Sequence, residues 1–135
     1  MRRTYPIVLS PQQDGAYLVN VPDLPTCVTS GSSIEEAYTM AEDALSACLL
    51  TLEDENLPLP KATAIQEVEV KQEELVLLLP VDTLSYRMAT DTHAVRKNVS
   101  IPAWMSAMVE RRNINCSQVL QDSLRAMLET PSAAN

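Results

Sequence analysis

Between residues 4 and 30 apolar and polar positions alternate with the two-residue period of a β-strand. Residues 5–10 and 16–21 flank Gln13, Asp14 and Gly15, a set of turn formers, and the pattern predicts a hairpin. Pro22-Asp23-Leu24-Pro25 interrupts the alternation, and residues 26–30, rich in β-branched side chains, predict a third strand before Gly31. The period then changes. Ser33 followed by Glu36 is a capping box, in which the hydroxyl accepts from the Glu36 amide and the carboxylate reaches back. From there Ile34, Ala37, Tyr38, Ala41, Leu45, Cys48, Leu49 and Leu52 recur at helical spacing, with Glu35, Glu42, Asp43 and Glu53 on other faces. Such a helix packs one face on the sheet and stops near residues 55–57, because Pro58 and Pro60 cannot continue it.

Residues 61–74 show no dominant period and predict a loop with at most a short element. The apolar run of residues 75–79, bounded by Glu74 and Pro80, predicts a fourth strand. Polar and turn-forming residues follow, and residues 88–93 are assigned as a linker.

The remaining segment has its own pattern. Alternation over residues 95–101 places Arg96, Asn98 and Ser100 on one face of a strand and Val95, Val99 and Ile101 on the other, with Lys97 breaking the apolar face. Pro102 suits the first turn of a helix, along which Met105, Met108 and Val109 recur. Asn113, Ile114 and Asn115 form a tight connection. Asn115 and Gln118 then cap a second helix carrying Val119, Leu120, Leu124, Met127 and Leu128, which ends before Pro131. One strand and two short helices cannot bury these apolar faces alone, and a lone strand lacks a ladder partner. A second copy supplies both.

Charge sharpens this division. The whole chain carries a formal net charge of −8, which by itself disfavours nucleic acid as a partner. Residues 1–93 hold five basic groups against fifteen acidic ones, whereas residues 94–135 hold five basic against three acidic. An acidic body with a mildly basic appendage implies two partners of opposite charge. Phe is absent, so the core is aliphatic. Cys27, Cys48 and Cys116 are odd in number and widely spaced, and read as free thiols in a reducing cytoplasm. No apolar run reaches membrane-spanning length, and the start MRRTYPIVLS lacks the apolar stretch of a signal peptide. A cytoplasmic protein without membrane contact is expected.

Other chemistry reads weakly. Metal-dependent catalysis needs clustered carboxylates, but Asp14 fits a turn, Asp23 a Pro-bounded loop and Glu36 a helix cap. His93 lies in the linker without a placed partner, Trp104 reads as a packing residue and Cys116 as a helix start. No cofactor is implied and no enzyme is expected.

RKNVSIP followed by NINCSQVLQDSLRAML resembles the ribbon-helix-helix repressors. In that family two strands pair into a ribbon that enters the major groove of DNA. Carried onto this sequence, Arg96, Asn98 and Ser100 read the bases, and their chemistry fits: Arg pairs with guanine, Asn with adenine, and Ser is adaptable. Backbone amides around Cys116 and Ser117 would hold a phosphate, as helix N-termini do. Lys97, Arg111 and Arg112 fit phosphate contacts and ordinary surface charges equally. Val99, Ile101, Met105, Met108, Val109, Val119, Leu120, Leu124 and Met127 would form the dimer core.

The N-terminal pieces Tyr5-Pro6, Asp14-Gly15 before Tyr17, Pro22-Asp23-Leu24-Pro25, Thr29 to Gly31 and Ile34-Glu35-Glu36-Ala37 together resemble the HicB antitoxin family, with Cys27 standing where many relatives carry Gly. The resemblance implies an α+β protein: a partial RNase H-like βββαβ domain over residues 1–87, then a dimeric ribbon-helix-helix domain over residues 94–130. It implies a HicA-type mRNA-cleaving toxin and operator DNA as partners, a homodimer with further pairing into tetramers left open, and repression of its own operon. The alternative is a ribbon-helix-helix regulator whose N-terminal domain binds a small molecule or another protein.

Overall fold

A computed structural model describes residues 2–129. The chain divides into two compact units, Met1–Thr90 and Asp91–Asn135. In the first, strands β1 (Arg2–Pro11), β2 (Tyr17–Asn20) and β3 (Val28–Gly31) precede the long helix α1 (Ile34–Asp54), strand β4 (Leu75–Asp82) and helix α2 (Thr83–Thr90). The second contains α3 (Ala103–Arg111) and α4 (Cys116–Glu129).

The four strands form one antiparallel sheet in the order β3-β2-β1-β4. The predicted hairpin forms with Leu9 opposite Val19. Its turn is held by the Asp14 carboxylate, which accepts from the Ala16 amide at 3.0 Å, and by Gly15 at φ +86°, a conformation that suits glycine. Strand alternation turns Tyr5, Ile7 and Leu9 to the core with Val19, Leu79 and Val81. The i, i+4 row Ala37, Ala41, Leu45 and Leu49 of α1 covers them. The same core includes Cys27, whose thiol is pushed up to about 12 by burial and then by the adjacent Cys48 thiol.

Pro80 does not end the fourth strand. β4 continues to Asp82, with Pro80 opposite Thr4. β4 lies at the sheet edge, where a residue without an N–H need not interrupt a ladder. Pro6 in β1 sits beyond the β1–β2 ladder, which spans only Val8 to Pro11 on that strand.

The helix cap forms in half. Ser33 Oγ accepts from the Glu36 amide at 3.1 Å, while the Glu36 carboxylate takes the Ser32 hydroxyl at 2.6 Å. The stop is not made by the prolines. Asn56 adopts φ 57°, and the amides of Asn56 and Leu57 bond to the carbonyls of Glu53 and Leu52, closing the helix in a Schellman turn. With only two glycines in the chain, asparagine takes the left-handed position.

Residues 57–74 contain a single 3₁₀ turn at Ile65–Glu67. They are tied to the sheet by the Tyr5 hydroxyl donating to the Pro60 carbonyl at 2.7 Å and by the Asp23 carboxylate accepting from the Thr63 amide at 2.9 Å. Residues 83–90, expected to be turn-like and partly linker, are helical. Asp82 caps this helix by accepting from the Leu84 amide at 3.0 Å, and Arg87 pairs with Asp54 at 2.7 Å and Glu53 at 3.4 Å on α1. Long-range ion pairing stabilises a helix that its own sequence barely signals.

In the second unit the expected strand over residues 95–101 is not formed in the single chain. A strand with no neighbour has no backbone partner for its amides and carbonyls. Thr130 and Pro131, read as the end of the module and the stop of its last helix, lie outside the described residues. Among the described residues, no helix is long and apolar enough to cross a membrane.

Candidate functional site

The second unit brings its candidate residues onto open surface. Arg96, Lys97, Asn98 and Ser100 are all exposed on an irregular segment that leads into α3. Pro102 is the residue just before that helix, and its carbonyl accepts from the Met105 and Ser106 amides at 3.0 and 3.1 Å. After α3 the chain reverses by the same device as after α1. Asn113 takes φ 53°, with the amides of Asn113 and Ile114 bonded to the carbonyls of Glu110 and Val109. Two residues later the predicted cap is present: Asn115 Oδ1 accepts from the Gln118 amide at 3.1 Å, leaving Cys116 and Ser117 exposed at the first turn of α4. The amides of that turn are the kind of donor set an anion uses. Arg111 and Arg112 are exposed at the end of α3 and Arg125 on α4.

The apolar faces of the two helices are equally open. Met105, Met108, Val119, Leu124 and Met127 are 37–72% exposed, Val99 and Ile101 are exposed ahead of them, and only Val109 and Leu120 are half-buried. Trp104, expected to pack, is 67% exposed. No described residue of α3 or α4 is buried. His93 is exposed outside the helices.

In the first unit each carboxylate considered for catalysis serves the local structure. Asp14 holds the hairpin turn, Asp23 binds Thr63, and Glu36 sits at the helix start. The other acidic groups lie mostly on α1 and along the connection between α1 and β4. Thr39, Glu42, Asp43 and Ser46 lie at i, i+3, i+4 and i+7 on one face of α1, and with Asp82 and Tyr86 they line a cleft of about 600 Å³. The helical spacing places Glu42 and Asp43 only on faces of α1 other than its apolar one. The available signal was Ser46, a polar residue beside the buried Leu45 and Leu49.

Solved structures resemble this architecture. The Burkholderia pseudomallei antitoxin HicB is 27% identical, with a TM-score of 0.54 over 94% of this chain and 97% of that one. A toxin-antitoxin complex from Streptococcus pneumoniae contains a chain with a TM-score of 0.60, at 22% identity over 94% of this chain and 99% of that one. At that identity the likeness speaks for the fold alone. Fold and sequence together define an α+β protein of the antitoxin class. A family model described as the HicB-like antitoxin of bacterial toxin-antitoxin systems matches residues 5–127. The chain belongs to that family.

Among curated relatives, Antitoxin HicB 1 of Photorhabdus laumondii is 43% identical over 68 residues, 49% of this chain and 44% of that protein. The chain thus spans less than half the length of that relative. A 14.9 kDa protein from the rep-hol intergenic region of Haemophilus phage HP1 is 30% identical over 111 residues, 79% of each chain.

Proposed function

We propose that the protein neutralises a HicA-type, mRNA-cleaving toxin through its first unit and represses its own operon through its second. The two units, meeting in sequence near residue 90, correspond in this reading to a partial RNase H-like domain and a ribbon-helix-helix domain. Family membership supports the toxin half, since the family consists of antitoxins of bacterial toxin-antitoxin systems. The acidic body is suited to a basic, RNA-cutting partner, because complementary charge steers encounter and covers a cationic surface.

One observation carries the DNA half: the second unit has two amphipathic helices and no buried residue among those described. Such a unit is stable only against another apolar surface. Pairing of two copies would bury Val99, Ile101, Met105, Met108, Val109, Val119, Leu120, Leu124 and Met127. It would also give residues 95–101 of each copy the antiparallel partner they lack. Arg96, Asn98 and Ser100 then project from the ribbon toward base edges, with Lys97 and the amides of Cys116 and Ser117 toward phosphates.

The test is a gel-shift titration of the promoter DNA upstream of the gene. Asn98→Ala is expected to weaken binding roughly tenfold or more while toxin neutralisation is retained. Unchanged DNA affinity overturns the ribbon assignment.

A further inference from the structure

The fold brings two thiols together from distant parts of the first unit. Cys27 lies in the connection between β2 and β3, only 3% exposed, and its amide donates to the Leu24 carbonyl at 2.9 Å, closing a turn. Cys48 stands on α1 beside the buried Leu49 and is half-buried, packed on the flank of the same core. The two thiols lie within hydrogen-bonding reach of each other, and both are free. The buried core is otherwise aliphatic apart from Tyr5, so its redox chemistry resides at this pair.

Position gives the two sulfurs different roles. Cys48 reaches the surface and can meet an oxidant, whereas Cys27 is screened from solvent, and burial keeps its thiol protonated, with a pKa pushed up to about 12. An accessible sulfur backed by a shielded second one channels oxidation into a reversible disulfide, because the second sulfur intercepts the first before it is oxidised further. A disulfide holds its sulfurs about 2.05 Å apart, a short advance from contact. The connection that carries Cys27 is a turn rather than helix or strand, and can supply that movement.

We propose that Cys27 and Cys48 form a reversible dithiol switch, which a hydroperoxide closes into a disulfide that latches the β2–β3 connection onto α1. The Cys48 sulfur attacks one oxygen of the hydroperoxide. The O–O bond breaks, an alcohol leaves (water, for hydrogen peroxide), and Cys48 becomes a sulfenic acid. Cys27 then attacks the Cys48 sulfur, the S–O bond breaks, and the departing hydroxide takes the Cys27 proton to form water. Two thiols together lose two electrons, and the peroxide bond gains them. The bridge closes a loop of about twenty residues and ties α1 to the connection whose Asp23 holds Thr63. Local opening of the first unit along α1 is thereby restrained.

The test treats the folded full-length protein, carrying Cys116→Ser, with hydrogen peroxide. Alkylation in denaturant followed by mass spectrometry is expected to find both remaining thiols blocked, with a peptide joining residues 27 and 48 that dithiothreitol releases. In urea the bridged form is expected to unfold with an equilibrium constant roughly a hundredfold lower than the reduced form. In the same background, Cys27→Ala is expected to leave a Cys48 sulfenic acid that dimedone traps, and Cys48→Ser to leave Cys27 reduced at the same dose. If Cys27→Ala fails to fold, Cys48→Ser, at a half-buried position, still reads which sulfur is attacked first. Two alkylatable thiols after treatment, a Cys48 sulfinic acid in place of the bridge, or a bridge between two chains overturns the proposal. A bridge that leaves the urea transition unmoved refutes the latch.

Discussion

Gly31 and Ala37 approach so closely that a Cβ added to Gly31 would lie 2.3 Å from the Ala37 backbone nitrogen and 2.6 Å from its Cα. This contact sets the end of β3 against the first turn of α1. The obstruction is backbone, which cannot swing aside as a side chain tip can. Gly31→Ala is expected to destabilise the first unit by about 3 kcal/mol. A urea midpoint equal to that of the unaltered protein would refute the contact.

Asn56 and Asn113 stop α1 and α3 in the left-handed conformation, at φ 57° and 53°. Alanine there is expected to cost about 1 kcal/mol, whereas glycine should hold or raise stability. Denaturant unfolding of the Asn56 variants separates the two outcomes. If alanine and glycine behave alike, the strain argument fails.

Glu74 accepts from the Ser10 hydroxyl and, at 2.8 Å, from the Lys71 amide. The Ser10 bond, followed by the Lys71 amide, holds its carboxyl below the ordinary value of 4.5. A carboxyl whose folded pKa is depressed stabilises the fold above its unfolded pKa and loses that contribution as pH falls through the folded one. The protein should therefore lose stability on acidification, and Glu74→Gln should lose less over the same range. Parallel melting curves from pH 6 to pH 3 would show whether the two proteins converge in acid. A constant gap between them would count against this assignment.

Leu124 is 47% exposed on α4 and belongs to the face proposed to meet a second copy. Leu124→Glu would place a charge in that interface and is expected to leave the protein monomeric, without the proposed pairing, and to weaken the proposed DNA binding with it. Because the side chain packs against nothing buried in the single chain, the first unit should melt as before. Sedimentation velocity of the variant decides the matter: a dimer of undiminished stability excludes this face.

Local signals were legible where neighbours in sequence are also neighbours in space. Asp14 and Gly15 make the hairpin turn, Ser33 caps α1 and Asn115 caps α4, each through a bond spanning two or three residues. The buried row of α1 follows directly from its spacing. The contrast between an acidic stretch and a mildly basic one is a property of composition alone. These features depend on dihedral preference and periodicity, which the chain carries with it.

What only the tertiary structure decided involves partners distant along the chain. The helix over residues 83–90 rests on Arg87 reaching back 33 residues to Asp54, and Pro80 is tolerated because β4 lies at the sheet edge. The stripe of Thr39, Glu42, Asp43 and Ser46 becomes a cleft only when β4 and α2 close around it. The alternation of residues 95–101 specifies two faces but supplies no ladder partner, so one chain alone leaves it irregular. A sequence encodes which side of an element is apolar, while the surface that covers that side is settled by packing across the fold or between chains.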